Sequence, residues 1–169
     1  PTTKAPSTTQ PATKAPSTKA PSTTTTAPKE TTKQPGNTTT PPTNLSYEEQ
    51  VVALVNKERA ANGLRPLTLS SKLSDVARAK SEDMRKNNYF AHQSPTYGSP
   101  FDMMKTFGIS YRTAGENIAK GYRTPEAVVE GWMNSPGHRA NILRSSFGSI
   151  GVCAYKVGNT MYWAQEFGK

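Results

Sequence analysis

Up to position 44 the chain carries no apolar side chain larger than alanine or proline, and from Leu45 onward such residues recur at regular spacings. In residues 46–63, "SYEEQVVALVNKERAANG", Val51, Leu54 and Val55 fall on one helical face. Ser46 with Glu49 three places on forms a capping box, and Gly63 supplies a stop, so the segment predicts a helix. Residues 70–88 repeat the pattern with Leu73, Val76, Ala77, Lys80 and Met84 on one stripe behind a serine cap at Ser70 or Ser71. Shorter helices are predicted behind Ser99-Pro100, Thr124-Pro125 and Ser135-Pro136, because proline is pre-shaped for the first helical position.

Towards the end the period changes. "SIGVCAYKV" and "TMYWAQEF" flank Gly158-Asn159, a two-residue loop suited to joining antiparallel strands. "AGENIAKGY", residues 114–122, adds a third extended segment, while "YFAHQSPTYGSP" is dense in turn formers and predicts an irregular loop. Helices first and a hairpin last predict an α+β domain with helices packed on a small antiparallel sheet. Trp132, Trp163, Tyr89, Phe90 and Phe107 are expected in its core.

Composition divides the chain in two. Residues 1–44 are almost entirely Thr, Pro, Ser, Ala and Lys, with "KAPST" three times, at 4–8, 14–18 and 19–23. Such a segment has nothing to bury against its ordering entropy and predicts a disordered, extended linker or stalk. Residues 45–169 are expected to form one domain. The formal charge of +9 is shared between the two parts, and the domain's cations alternate with acids instead of forming a run. That argues against a nucleic-acid partner and leaves a weak attraction to anionic polymers. The single cysteine, Cys153, lies in an apolar run and is expected buried and unreactive. No apolar run reaches transmembrane length, and a removed leader is expected ahead of the low-complexity start.

Three titratable residues stand at irregular junctions rather than on solvated helix faces: His92, Glu116 and His138. No serine-hydrolase elbow accompanies Ser94 or Ser135. His138 in the first turn of a predicted helix meets a dipole that favours the neutral imidazole. Neutral imidazoles with a carboxylate would suit zinc or another divalent cation, or proton transfer without one. Both histidines could instead simply bond loop backbone, Glu116 could cap a turn, and Asn117 is expected to cap one.

"YFAHQSP", "GENIA", "VVEGWMNSPGHRANIL", "IGVCAY" and "YWAQEFG" occur in that order across residues 46–169, and together they resemble the bacterial branch of the CAP superfamily. This superfamily contains the cysteine-rich secretory, antigen 5 and pathogenesis-related 1 proteins. The resemblance implies a three-layer α-β-α sandwich, an extracellular or cell-wall location, and a cleft lined by two histidines and two acids. His92, Glu116 and His138 match three of those positions. The fourth, three residues after Trp132, is Ser135, and Glu130 lies on the other side of the tryptophan. The expected ligand-binding residues are therefore His92, Glu116, His138 and Ser135, with His92 and His138 as metal ligands. Three functions follow as expectations. The first is a binding module for a divalent metal, a small ligand, or an extracellular peptide or cell-wall polymer. The others are a metal-assisted hydrolase using Glu116, His92 and His138, and a structural envelope or spore protein. A monomer is expected, and a binding role is favoured over an enzymatic one.

Overall fold

The computed structural model describes residues 45–169. The predicted linker, residues 1–44, lies outside the described residues. In chain order the elements are α1 (Tyr47–Ala61), β1 (Thr68–Leu69), α2 (Ser71–Lys86), α3 (Pro100–Thr106), β2 (Ala114–Lys120), α4 (Pro125–Met133), α5 (Pro136–Ile142), β3 (Ser149–Val157) and β4 (Thr160–Gly168). The capping box at Ser46 and Glu49 forms as the pattern predicts, and Ser70 rather than Ser71 caps α2. At the hairpin tip Gly158 adopts φ 56°, a left-handed conformation that glycine enters without a Cβ clash.

The sheet runs β1-β3-β4-β2, antiparallel except where β1 pairs parallel with β3 over two residues. That parallel edge departs from the purely antiparallel sheet read from the pattern, since two residues are too few to show a period. One face packs on α2, where Ala77 and Met84 meet Ile118, Cys153, Tyr162 and Ala164. The opposite face packs on α1, α4 and α5, with Val51, Val55, Val128, Trp132, Ile142 and Trp163 in one cluster. Helices on both faces make the three-layer sandwich, and β4, central and covered on both sides, is buried from Met161 to Gly168. Trp132 and Trp163 lie in the core as expected. Phe90 and Phe107 do not: they are 47% and 37% exposed, because each sits in the connecting segment beyond the end of its helix.

Two features hold the layers in place. On β3, Gly151 lies against the backbone of α2; a Cβ there would meet the carbonyl carbon of Leu73 at 2.0 Å. Backbone cannot swing aside as a side chain can, so Gly151→Ala is expected to lower stability by about 2–3 kcal/mol by lifting α2 off the sheet. Urea denaturation measures this, and an unchanged midpoint would contradict it. The second feature is Arg59, buried at 1% exposure, whose Nη1 donates to Ile142 O and Arg144 O at 2.7 and 3.0 Å and whose Nε donates to Arg65 O at 2.9 Å. It thereby satisfies carbonyls left over at the end of α5 and fixes that helix to α1.

Candidate functional site

β2 is an edge strand, yet two of the carbonyls it turns outward are occupied. Asn141 Nδ2 of α5 donates to Glu116 O at 3.1 Å, and Trp132 Nε1 of α4 donates to Ile118 O at 3.4 Å. Covering an edge in this way blocks strand addition and locks α5 beside β2. Successive β2 side chains then point to opposite layers: Glu116 towards α2, Asn117 towards α5.

Glu116, 6% exposed, places Oε1 at 2.6 Å from Nδ1 of His92, which comes from the loop after α2. The His92 side chain itself is 55% exposed. Behind the carboxylate lies Lys80, wholly buried, its Nζ donating to His92 O at 2.6 Å and standing 4.0 Å from Glu116 Oε2. Directly across the β2–β4 ladder from Glu116 is Glu166, also wholly buried. Were both carboxylates ionised, Glu116 Oε2 and both oxygens of Glu166 would be buried without a hydrogen-bond partner. Two ionised carboxylates cannot bond each other, so one proton on Glu166 turns the pair into donor and acceptor. Burial, then the neighbouring Glu116 charge and the hydrogen bond to it, push the Glu166 carboxyl well above the usual range, against the pull of Lys80. Burial also lowers the Lys80 ammonium, opposed by Glu116, Glu166 and Asp83.

A carboxyl raised on folding holds its proton after the unfolded chain has lost one, so its stability is present below the ordinary glutamate value of 4.5 and declines as pH rises beyond it. Glu166→Gln keeps the donor to Glu116 and removes the titration. It is expected to stabilise the domain by about 1–2 kcal/mol at pH 7 and by little at pH 4. Thermal denaturation across that range measures it, and a variant less stable than wild type at pH 7 would contradict the shared proton.

On the other side of β2, α5 carries His138. Ser135 at its N-cap makes no helix-capping bond through its side chain; its Oγ lies 2.8 Å from His138 Nδ1 instead. His138 O accepts from Asn117 Nδ2 at 3.2 Å, and the same amide bonds Gln165 Oε1 at 3.1 Å and accepts from Asn141 at 2.9 Å through Oδ1. Asn117 therefore joins β2, β4 and α5 from mid-strand and caps no turn. Burial, followed by the nearby His92 charge, lowers the His138 pKa. The direction agrees with the helix-dipole argument, but the leading cause is desolvation.

The structure thus brings His92 to Glu116 and Ser135 to His138, one pair on each side of the same edge strand. Both rings have Nδ1 engaged within the protein, which leaves Nε2 of each as the nitrogen free of an intramolecular bond. Among the described residues no group of three or more His, Cys, Asp or Glu side chains is arranged to hold a metal ion. Glu130 is exposed and lines a recess between α1 and α4 with Leu54, Glu58 and Val129, whose lining includes neither histidine. Sequence reasoning missed Glu166 and treated Lys80 as one more member of a buried stripe. The visible signal was a lysine on an otherwise apolar helical face, which burial permits only with a partner.

The chain matches the family model "CAP: Cysteine-rich secretory protein family" over residues 52–167. It is 55% identical over 145 residues to YkwD of Bacillus subtilis, an alignment covering 86% of this chain and 51% of that protein. An extracellular protein of Bacillus anthracis containing an SCP domain superposes with TM-score 0.69 at 36% identity, over 73% of this chain and 40% of that one. An outer surface protein of Borrelia burgdorferi shares the fold with TM-score 0.67 at 22% identity, over 74% of this chain and 96% of that one. The three-layer sandwich together with the family match defines a CAP domain, and the chain belongs to the CAP, or cysteine-rich secretory protein, family. It spans about half the length of YkwD. Among the described residues no helix is long and apolar enough to cross a membrane.

Proposed function

We propose that this chain is an extracellular, envelope-associated binding module whose cleft presents His92 and His138 to a divalent cation or to the polar groups of a small or extended ligand. The observation that carries the reading is the engagement of both Nδ1 atoms, His92 by Glu116 at 2.6 Å and His138 by Ser135 at 2.8 Å. Imidazoles that hold metal in proteins are commonly oriented this way, by a carboxylate or hydroxyl on the far ring nitrogen. In this reading Glu116 orients a ligand and is not itself one, since one oxygen meets His92 and the other is buried. A bound cation would act as a Lewis acid on whatever oxygen it met. The likeness to an extracellular Bacillus anthracis protein supports the location, and a Thr/Pro stalk suits a module held off its anchor. Binding is favoured over hydrolysis because Glu116, the carboxylate a hydrolase would use as its base, is buried and already committed to His92.

Titration calorimetry with zinc tests the cleft. His92→Ala and His138→Ala are each expected to weaken binding at least about tenfold, and Glu116→Gln about 10–100-fold through loss of ring orientation. The lowered His138 pKa keeps that ring neutral further into acid than an ordinary histidine, so His138 should compete with protons only below its usual 6.5. Heats identical in wild type and all three variants would remove the metal reading.

A further inference from the structure

The far end of the sheet carries a second recess. It lies at the β3–β4 hairpin tip, four residues along β2 from Glu116, and is lined by Tyr47, Arg123, Lys156, Asn159 and Met161 around about 370 Å³. That volume is at the lower end of what single small-ligand sites enclose. Tyr47 is 43% exposed, yet its ring is fixed: it stacks on Trp163 with centroids 6.0 Å apart and planes 7° from parallel. Trp163 is in turn buried and held by its Nε1, which donates to Tyr122 O at 2.8 Å. An aromatic face is thus presented to solvent already immobilised.

Beside that face are two cations that pair with no carboxylate among the described residues, Arg123 and Lys156. The acids of the first turn of α1, Glu48 and Glu49, line a different recess. Asn159 supplies an amide able both to donate and to accept.

We propose that this recess binds an acidic sugar, a pyranose ring bearing a carboxylate, within an extracellular polysaccharide. The apolar C–H face of a pyranose packs on the negative face of an aromatic ring, which Tyr47 offers. A guanidinium matches a carboxylate with two parallel hydrogen bonds, and Lys156 adds a second positive charge. Neighbouring hydroxyls on one ring each carry a donor and an acceptor, as does the Asn159 amide. The lining contains one aromatic face and no second ring to sandwich a base, so a nucleotide fits it less well. The assignment supplies a partner class for the binding module, but it uses none of the cleft residues and stands or falls separately.

The test is amide-resolved NMR of the full chain titrated with trigalacturonate, alongside maltotriose, inorganic phosphate and adenosine monophosphate. Trigalacturonate is expected to move the signals of Arg123, Asn159 and the Trp163 indole with a dissociation constant near or below about 1 mM, and each comparison compound to bind at least about tenfold more weakly. Arg123→Ala combined with Lys156→Ala should weaken it at least about tenfold by removing both charges, while His92→Ala and His138→Ala leave it unchanged. The proposal is overturned if trigalacturonate leaves these signals unmoved at about 10 mM. It is equally overturned if maltotriose, phosphate or the nucleotide binds as tightly, or if the shifts map to His92 and His138.

Discussion

Replacing Lys80 with methionine is expected to destabilise the domain by about 3–5 kcal/mol, the range seen when one partner of a buried ion pair is removed. Methionine fills much the same volume, so the loss would not come from a cavity. It would come from two things the ammonium does. Its Nζ donates to His92 O at 2.6 Å, and it is the buried cation closest to a wall containing Glu116 and Glu166. Without it the Glu116 carboxylate faces a buried carboxyl with His92 Nδ1 as its one remaining polar partner, and the loop carrying His92 loses its tie to α2. Adding Glu116→Gln to the methionine variant should therefore recover part of the loss, because the charge left uncompensated is removed. Equilibrium urea denaturation measures all three proteins. A loss below about 1 kcal/mol for the single variant would mean that the ammonium is better solvated than its complete burial implies.

How much of this was legible follows from the range of each interaction. The helices announced themselves because their caps and apolar spacings are local: Ser46 with Glu49, Ser99 with Pro100 and Thr124 with Pro125 sit where the sequence puts them. The hairpin did so through Gly158-Asn159. The parallel pairing of Thr68 and Leu69 with Ser149 and Ile150 joins positions 81 residues apart and had no local signature. The site divides in the same way. His92, Glu116 and His138 stood out by chemistry at irregular junctions, but that His92 meets Glu116 depends on a contact 24 residues away in sequence. Glu166 carries no local signal, and only the strand register sets it opposite Glu116. Phe90 and Phe107 depart from expectation for the converse reason: hydrophobicity says what a side chain prefers, and the connecting segments that carry these two leave them exposed.

The loop that presents His92 should fail in acid before the rest of the domain does, and Asp83 is the reason. Its carboxylate accepts from Tyr89 Oη at 2.5 Å, Thr96 Oγ1 at 2.6 Å, Asn87 Nδ2 at 2.6 Å and Ser94 Oγ at 2.7 Å, gathering residues 87–96 onto α2. Ser94 Oγ accepts in turn from the amides of Thr96 and Tyr97 at 3.0 and 2.9 Å, and the Ser94–Gly98 bridge closes the loop. Burial alone would raise the Asp83 pKa, but the hydrogen bonds from Thr96, Tyr89, Ser94 and Asn87 outweigh it and hold the carboxyl below its usual value of 3.8. A depressed acid contributes stability that is complete above the unfolded-state pKa and disappears as pH falls through the folded one. Asp83→Asn replaces an acceptor of four bonds with an amide that brings two donors of its own, so at neutral pH it is expected to cost about 3 kcal/mol. Since the asparagine does not titrate, the gap between the two proteins should close as pH drops below about 4. Denaturant unfolding at a series of pH values reads both effects, and His92 amide and ring signals report whether the loop moves. A gap that stays constant down to acid would show that the carboxylate's charge contributes nothing, leaving only the shape of the side chain to organise the loop.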